Sequence, residues 1–489
     1  MAVMAIFIIG AEILLLWSLA VMSRFAIKYS NFKFWNYSCG KGKESFRHRL
    51  HRFSQIKYLF MQYFIKIGLL FFMVVSCKNH VDQSKVERPK AEVKKEILQN
   101  GKPDTLVLTG ADNFDAYLPS LKDKKIGVVT NQTGIINRLI VQPPVYAADP
   151  RNSRDAVVTV YTGSVVDFLI SKKINLLKIF APEHGFRGTA DAGEHVVDGK
   201  DTKTGLPIIS LYGDNKKPKA EQLAGLDVLV FDLQDVGARF YTYISSLHYI
   251  MEACAENNIQ LIILDRPNPN GGIVDGPILE KENTSFIGMH PIPTLHGMTI
   301  GEYGKMINGE KWLKNGIQCK LTVIPCLNYK REMSYILPVK PSPNLPNDQA
   351  INLYASLCLF EGTNVSSGRG TEKQFQIYGS PFLPKVGFSF TPVSNFGSKD
   401  PMNKGLLCYG EDLSKAPKVD QLELKWLIKA YTETSDQKKF FTSFFTKLAG
   451  TKKLQQQIEA GISETEIRKS WEKGLADFKV MRKKYLIYD

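Results

Sequence analysis

Short apolar runs that stop abruptly in polar, glycine-rich segments are the dominant pattern of this chain. The clearest runs are residues 176–181, 227–231 and 260–264, and a fourth is residues 125–129. Buried parallel strands read as continuous apolar runs of this kind. Because ligands of open α/β sheets bind beyond the carboxyl ends of the strands, the four polar segments are expected to meet at one cleft. The pattern predicts an enzyme or a sugar-binding protein.

Helical patterns lie between these runs. Residues 165–172 and 243–257 carry apolar side chains at helical spacing. Strands that alternate with helices predict an α/β fold with a Rossmann-like, doubly wound parallel sheet. Residues 137–160 lack clear periodicity and contain three prolines, so they are interpreted as a loop insertion.

The pattern changes near residue 320. Residues 319–324 alternate like a strand, residues 349–360 fit a helix, and Lys, Glu and Leu recur at helical spacing beyond residue 415. We therefore predict a Rossmann-like catalytic domain over 105–320. A second, smaller α+β domain over 321–489 is expected to close the cleft.

The N-terminal part of the chain has the pattern of an export signal. Residues 61–77 have a short basic start, an apolar stretch and Val-Val-Ser before Cys77, which resembles a bacterial lipoprotein signal whose cysteine is lipidated. Residues 1–60 are then an over-extended N-terminus and residues 78–104 a polar linker. The alternative is a membrane anchor within residues 3–22. The first interpretation predicts a lipid-anchored protein that is periplasmic or associated with the outer membrane.

Composition and the absence of several motifs exclude some classes of function. The formal charge of +15 is partly an end effect, since residues 1–60 hold nine Lys or Arg against two Asp or Glu, and the remainder has no dense basic tract. No nucleic-acid partner is therefore expected. The seven cysteines form no CxxC pair and the histidines are scattered, so neither a metal nor another cofactor is predicted. HExxH, Walker-type, GxSxG and GxGxxG motifs are absent. The oligomeric state stays open.

Carboxylates at two strand ends are the candidate acids and bases. Glu183 follows a buried strand and precedes His184. A carboxyl group partly withdrawn from water has a raised pKa, which suits a general acid; the alternative is a helix cap or an ion pair. At the next strand end Asp232 and Asp235 flank Gln234. These two aspartates are either catalytic, or orient a sugar hydroxyl, or brace the loop.

Arginine and aromatic side chains are the candidate substrate contacts. Arg239, Arg266 and Arg369 each carry planar donors that can bind a substrate carboxylate through two hydrogen bonds. Each can equally brace a loop with a salt bridge. Tyr241 is placed to stack on a sugar face.

Two later segments add candidates. His296 precedes Thr299 and Glu302, whose spacing is that of a helix capping box. The capping role is favoured for Thr299 and Glu302, and a functional role for His296. Residues 360–372 concentrate Gly, Ser, Thr, Asn and Arg, and such a loop offers many donors to a polar ligand.

Taken together, six motifs resemble one family of glycoside hydrolases, the exo-β-N-acetylmuramidases, over residues from about 105 to 489. This resemblance implies a Rossmann-like domain and a smaller second domain with the active site between them. It also implies release of N-acetylmuramic acid from the non-reducing end of peptide-free peptidoglycan fragments. The motifs are APEHGFRG (181–188), QDVGARFYTY (234–243), DRPNP (265–269), HGMTIGE (296–302), PSPNLP (341–346) and EGTNVSSGRGT (361–371).

Within these motifs Glu183 matches the expected catalytic glutamate. A glycosidase needs two carboxylates, and the second stays open among Asp232, Asp235, Glu302 and Glu361. His184 joins the catalytic set. The candidate substrate-binding residues are Asn131, Gln234, Arg239, Tyr241, Asp265, Arg266, His296, Asn344, Glu361 and Arg369.

The chain departs from the family pattern in two places. Residues 134–165 are longer and less regular than the usual link, and Ser367 and residues 372–374 differ around GRGT. A competing hypothesis is a non-catalytic muropeptide- or glycan-binding lipoprotein built on the same cleft. An esterase is disfavoured because no nucleophile elbow is present.

Overall fold

The computed structural model describes residues 106–142, 157–183, 185–186 and 198–489. The predicted segments 1–60, 61–77 and 78–104 lie outside the described residues, and so do Cys77 and His184. None of the helices in the described ranges is long and apolar enough to cross a membrane.

The described strands fall into a large sheet, a smaller antiparallel sheet and two antiparallel pairs of strands. In chain order they are β1 (Lys125–Thr130), β2 (Ile135–Gln142), β3 (Val157–Ser164), β4 (Asn175–Ala181), β5 (Gly199–Lys200), β6 (Pro207–Ser210), β7 (Val228–Asp232), β8 (Gln260–Leu264), β9 (Val274–Asp275), β10 (Leu295–His296), β11 (Leu321–Ile324), β12 (Ile377–Ser380), β13 (Phe388–Phe390) and β14 (Cys408–Asp412).

The large sheet has the order β11-β8-β7-β1-β4-β6-β5. All its pairings are parallel except that of β5 with β6. Counted along the chain, its six parallel strands stand in the order 3-2-1-4-5-6, which is the order of the Rossmann fold. The predicted fold class is confirmed. The order reverses between β1 and β7, and ligands of such sheets bind near that point.

Each central strand buries both of its faces. On β7, Val228 and Val230 enter one apolar cluster, whereas Leu229 and Phe231 enter the other. Alternate side chains of a strand point to opposite faces, so five consecutive buried residues require a layer of structure on each side. This is why the strand reads as an unbroken apolar run.

The helices cover these faces and build the C-terminal region. They are α1 (Phe114–Leu121), α2 (Val165–Ser171), α3 (Ala220–Leu223), α4 (Tyr243–Glu256), α5 (Ile300–Gly309), α6 (Asp348–Leu357), α7 (Lys425–Glu433), α8 (Ser443–Ala449), α9 (Lys453–Glu459), α10 (Glu464–Lys469) and α11 (Glu472–Lys483), with 3₁₀ turns at Lys281–Asn283, Lys314–Gly316, Cys358–Gly362 and Gln437–Lys439.

The loop predicted over residues 137–160 is wrong where the structure describes it. β2 and β3 form an antiparallel ladder from Ile135 opposite Ser164 to Gln142 opposite Val157. Both segments are rich in Ile, Val and Thr, whose branched side chains suit a pleated strand. The prolines that suggested a loop lie between the two strands, outside the described residues.

The parallel sheet extends past the predicted domain boundary at residue 320. β11 pairs with β8 from Leu321 to Ile324, so a boundary that keeps the sheet intact lies after residue 324. Beyond it, β12, β14 and β13 form the smaller antiparallel sheet. One apolar cluster joins Leu229 of the large sheet to Phe360 and Phe478 of the C-terminal region, so the two parts share a core.

Candidate active site

Glu183 lies two residues after β4, at the carboxyl edge of the large sheet. Thr242 Oγ1 donates a hydrogen bond to Glu183 Oε2 at 2.8 Å, and the Tyr243 hydroxyl lies 3.4 Å from the Glu183 carbonyl oxygen. Burial, followed by the charge of Glu183, raises the pKa of Tyr212. The Tyr212 hydroxyl therefore stays protonated beside the carboxylate. Thr242 fixes one oxygen of Glu183 in position.

Glu183 faces a cavity of about 140 Å³ that both parts of the fold line. Five candidates from the sequence meet there, because the strand-end loops and the segment after α6 converge. They are Glu183, Tyr241, Asn344, Glu361 and Arg369. The other lining residues are Phe240, Thr242, Ile287, Ser342, Leu345, Tyr354, Cys358, Phe375, Phe444 and Leu448.

Glu361 and Arg369 form an ion pair in the wall of this cavity. Arg369 Nε donates to Glu361 Oε1, and each side chain is 23% exposed. The guanidinium also lies over the ring of Phe375, 5.0 Å from its centroid. Burial acts against the charged form, yet the Glu361 carboxylate raises the pKa of Arg369 above its ordinary value. Arg369 is a fixed positive charge at the cavity.

Asn344 presents an unused acceptor in the same wall. Its side-chain Nδ2 donates to the Gly397 carbonyl oxygen at 2.5 Å, and the residue is 1% exposed. Its Oδ1 has no hydrogen-bond partner among the described residues. The Tyr241 hydroxyl donates to the Pro341 carbonyl oxygen at 2.9 Å, so the ring of Tyr241 is held at the cavity by its own polar end.

Asp232 and Arg266 pair with each other instead of facing the cavity. Arg266 Nε and Nη2 donate to the two carboxylate oxygens at 2.6 and 3.0 Å, and the side chains are 2% and 0% exposed. Arg266 Nη2 also donates to the Ile135 carbonyl oxygen at 2.9 Å. This closed pair locks the ends of β7 and β8 together. The structure therefore gives Asp232 and Arg266 a structural role.

Asp235 and His296 also lie away from the cavity. Asp235 Oδ2 accepts a hydrogen bond from the Gly237 N–H at 2.7 Å and is 3.5 Å from His296 Nε2. Both residues are buried. The side chain of Gln234 donates to the carbonyl oxygens of Asp235 and Pro267, which braces the loop after β7.

Asp265 and Glu302 are buried acceptors. Asp265 accepts hydrogen bonds from the Thr299 and Tyr488 hydroxyls and from the Gly301 N–H, and burial raises its pKa to about 6. Glu302 forms the predicted capping box with Thr299 and accepts two bonds from Arg331. Neither carboxylate reaches the cavity.

Arg239 and Asn131 support the site from behind. Arg239 is fully buried and donates to the carbonyl oxygens of Pro277, Ile292, Leu448 and Ala449, so it braces the backbone and does not contact the cavity. Asn131 Nδ2 donates to the Tyr243 hydroxyl at 2.5 Å, and that hydroxyl in turn lies near Glu183.

Sequence reasoning missed several residues of the site. Thr242, which holds Glu183, stands inside the motif at 234–243 between two more conspicuous tyrosines. Tyr212 follows β6, next to β4 in the sheet, so its strand end was a usable signal. Ser342, Tyr354 and Phe444 carried no chemical signature that set them apart from core or loop residues.

A second cavity, of about 500 Å³, lies between residues 269–273, 331–337, 348–352 and 418–420. It is larger but contains none of the candidate catalytic side chains. Within the described ranges, no three His, Cys, Asp or Glu side chains are grouped as a metal site would need. The chemistry of the smaller cavity is that of carboxylates, one arginine and aromatic rings.

Models of the exo-beta-N-acetylmuramidase NamZ match most of the described chain. The N-terminal model matches residues 152–349 and the C-terminal model residues 352–488. The chain belongs to the NamZ family. The break between the two family models, near residue 350, leaves β11 with the large sheet.

Individual proteins with similar sequences and structures point to the same family. The peptidoglycan beta-N-acetylmuramidase NamZ of Bacillus subtilis (strain 168) is 41% identical over 413 residues, covering 78% of this chain and 91% of that protein. Two crystal structures of DUF1343 family proteins from Bacteroides fragilis NCTC 9343 superpose on it. One has a TM-score of 0.69 and 42% identity, covering 78% of this chain and 99% of that one. The other has a TM-score of 0.64 and 27% identity, covering 80% and 100%.

Proposed function

We propose that this protein is an exo-acting glycosidase that releases N-acetylmuramic acid from the non-reducing end of peptidoglycan-derived fragments. The observation that carries the proposal is that Glu183, which matches the family's expected catalytic glutamate, and the Glu361–Arg369 pair line one cavity. The identity to a peptidoglycan beta-N-acetylmuramidase supports the same reaction. The product is a sugar with a free carboxylate, and the cavity offers a positive charge to bind it.

In this reaction Glu183 is the general acid. It protonates the glycosidic oxygen as the bond to the leaving sugar breaks, while positive charge develops on the ring of the muramic acid. Water finally takes the place of the leaving sugar at the anomeric carbon, and the proton that it loses restores the acid. Thr242 keeps the carboxyl group in one orientation through its bond to Oε2. A proton donor that is held in place does not have to be oriented in the transition state, and this lowers the barrier.

The Glu183→Gln variant tests the assignment. A disaccharide of N-acetylmuramic acid and N-acetylglucosamine is incubated with each protein, and the products are identified by mass. The wild type should release free N-acetylmuramic acid. Loss of a general acid lowers the rate about 10²- to 10⁴-fold. Glu282→Gln is the matched control, because Glu282 is exposed on a 3₁₀ turn and does not line the cavity.

The outcomes separate the hypotheses. Unchanged turnover by Glu183→Gln would refute the acid assignment. A wild type that binds the disaccharide tightly but never cleaves it would support the alternative, a non-catalytic glycan-binding protein.

We further propose that the protein is exported and anchored by a lipid on Cys77. The layout of residues 61–77, an apolar stretch that ends in Val-Val-Ser-Cys, supports this proposal. When the protein is expressed in the presence of radiolabelled palmitate, the wild type should carry the label and be found in the membrane fraction. Cys77→Ser should lose both the label and the membrane association. Equal labelling of the two proteins would contradict the anchor.

A further inference from the structure

Three arginines were candidates for binding a substrate carboxylate, and two of them are buried and do not line the cavity that contains Glu183. Arg239 donates to four backbone carbonyls and is 0% exposed. Arg266 is held by both oxygens of Asp232. Arg239 Nε has no partner among the described residues, but neither guanidinium lines the cavity, so neither is placed to bind a ligand there. Arg369 is the one of the three that lines the cavity with Glu183.

Arg369 uses one edge of its guanidinium and keeps the other. The Nε donates to Glu361, and the described residues supply no hydrogen-bond partner for Nη1 or Nη2. Polar groups that are largely withdrawn from water are normally hydrogen-bonded. The Nη1 and Nη2 groups of Arg369 are therefore able to donate hydrogen bonds to an acceptor on a ligand.

The backbone holds this fork in place. Gly368 and Gly370, on either side of Arg369, have φ values of +81° and +77°, a conformation that side chains with a Cβ rarely adopt. A Cβ at Gly370 would lie 2.5 Å from Pro401 Cγ, and a Cβ at Gly368 would lie 2.7 Å from Ile377 Cγ1. The stacked Phe375 ring and the Glu361 bond then fix the side chain.

We propose that Arg369 binds the lactyl carboxylate of the terminal muramic acid, and that Glu361 is a positioning residue that orients the guanidinium. This inference rests on the proposed function. A planar guanidinium binds a carboxylate through two parallel hydrogen bonds, a geometry that an ammonium does not reproduce. The lactyl carboxylate is the group that distinguishes muramic acid from glucosamine, so Arg369 is the specificity-determining residue.

The same contact predicts a preference for fragments without a stem peptide. A peptide joined to the lactyl group converts the carboxylate to an amide, which carries no charge and one fewer acceptor oxygen. Charge-assisted hydrogen bonds are about twice as strong as neutral ones. We expect the free acid to be hydrolysed about 10- to 100-fold more efficiently than the amide, in line with hydrogen bonds to charged groups.

Three chromogenic substrates test the proposal: an aryl β-N-acetylmuramide, its lactyl carboxamide and an aryl β-N-acetylglucosaminide. The wild type should rank the free acid well above the other two in kcat/KM. Arg369→Gln should lower kcat/KM for the free acid about 10- to 100-fold and leave the other two within about threefold of the wild type. Arg369→Lys should fall between them, because it keeps the charge without the fork.

The control is Lys373→Gln, which removes a positive charge from the same loop. Lys373 pairs with Asp412 and does not line the cavity, so its substrate ranking should match the wild type. Thermal unfolding of every variant checks that the loop still folds.

Two results would overturn the inference. In one, Arg369→Gln keeps the wild-type preference for the free acid. In the other, it lowers all three rates equally, as a merely structural residue would. Both differ from failure of the proposed function, in which the wild type cleaves no muramide at all.

Discussion

Two carboxylate–arginine pairs of the same chemistry have opposite fates in this fold. Asp232 and Arg266 come from the adjacent ends of β7 and β8 and are almost fully withdrawn from solvent. Glu361 and Arg369 come from a 3₁₀ turn and a glycine-flanked loop and are each 23% exposed at the cavity. In the first pair the arginine uses Nε and Nη2 on protein acceptors; in the second it uses Nε alone.

The contrast shows that residue type does not separate a structural ion pair from a binding site. What separates them is how many donors the protein itself has already satisfied and whether the remaining ones face a cavity. A closed pair stabilises the fold only while both partners are present, since a single buried charge is costly. An open pair can exchange solvent for a ligand.

The largest effect on stability is expected when the closed pair of Asp232 and Arg266 is broken. Asp232→Asn leaves Arg266 charged and buried without its partner, which should destabilise the protein by about 3–5 kcal/mol. Chemical denaturation followed by circular dichroism measures this loss. A change below about 1 kcal/mol would show that solvent reaches Arg266 and that the pair is not closed.

Replacing both partners sharpens that result. The double variant Asp232→Leu with Arg266→Met removes the two charges together, and such apolar replacements are often neutral or stabilising. We therefore expect it to recover most of the stability that Asp232→Asn loses. Equal destabilisation by the single and double changes would point to lost packing or to the Ile135 bond as the cause.

A second buried region, around His290, is expected to make the free energy of unfolding depend on pH. His290 hydrogen-bonds His248 and the Tyr303 hydroxyl and stacks on Trp312. Burial, followed by the nearby His248, lowers the pKa of His290 well below its ordinary 6.5. Its contribution to stability is therefore complete above pH 6.5 and is lost as the pH falls, because only the unfolded chain takes up the proton. The slope is up to about 1.4 kcal/mol per pH unit.

The measurement compares the pH dependence of the unfolding free energy between wild type and His290→Asn, from pH 7 to 5. The variant should start lower and fall less steeply. The comparison between proteins is needed because Asp265, whose pKa is raised to about 6, contributes in the opposite direction and is common to both. Parallel slopes would show that His290 is protonated in the folded protein.

The smallest expected change in stability comes from the open pair. Glu361→Gln should alter the unfolding free energy by less than about 1 kcal/mol, as for partly solvated pairs. It should still lower kcat/KM for the free-acid muramide about tenfold, a loss of about 1.4 kcal/mol, because Arg369 loses its orientation. Hydrolysis of the lactyl carboxamide should survive. If that activity also disappears, Glu361 is the second catalytic carboxylate and not a positioning residue.

The fold was largely predictable because apolar runs report burial directly. Residues 227–231 had to lie between two layers, and alternation with helices then predicted a doubly wound parallel sheet. The β2–β3 hairpin escaped because its prolines dominate the segment between the strands. The continuation of the large sheet past residue 320 was not predicted, because β11 is an edge strand whose side chains alternate instead of forming an apolar run.

The site was less predictable, for a reason visible in its arginines. Arg239, Arg266 and Arg369 stand in equally polar motifs, and nothing in their spacing says how many of their donors the fold will use. Long-range partners decide it, such as Leu448 for Arg239. Glu183 could be placed at the carboxyl edge of the sheet because it follows a buried strand. Thr242 was missed because a hydroxyl gains importance only from the carboxylate it meets.

Residues 487 and 488 belong to the hydrogen-bond network around Asp265 and Glu302. The Tyr488 hydroxyl donates to Asp265 and accepts from the Cys326 N–H, and the Ile487 N–H donates to Glu302. Asp265 also accepts hydrogen bonds from Thr299 and Gly301, and Glu302 accepts two from Arg331, so residues 487 and 488 complete two sets of bonds that other parts of the fold begin. Removal of residues 487 and 488 would leave Asp265 and Glu302, which are both buried, each with fewer donors, and is therefore expected to destabilise the core at a distance from the cavity.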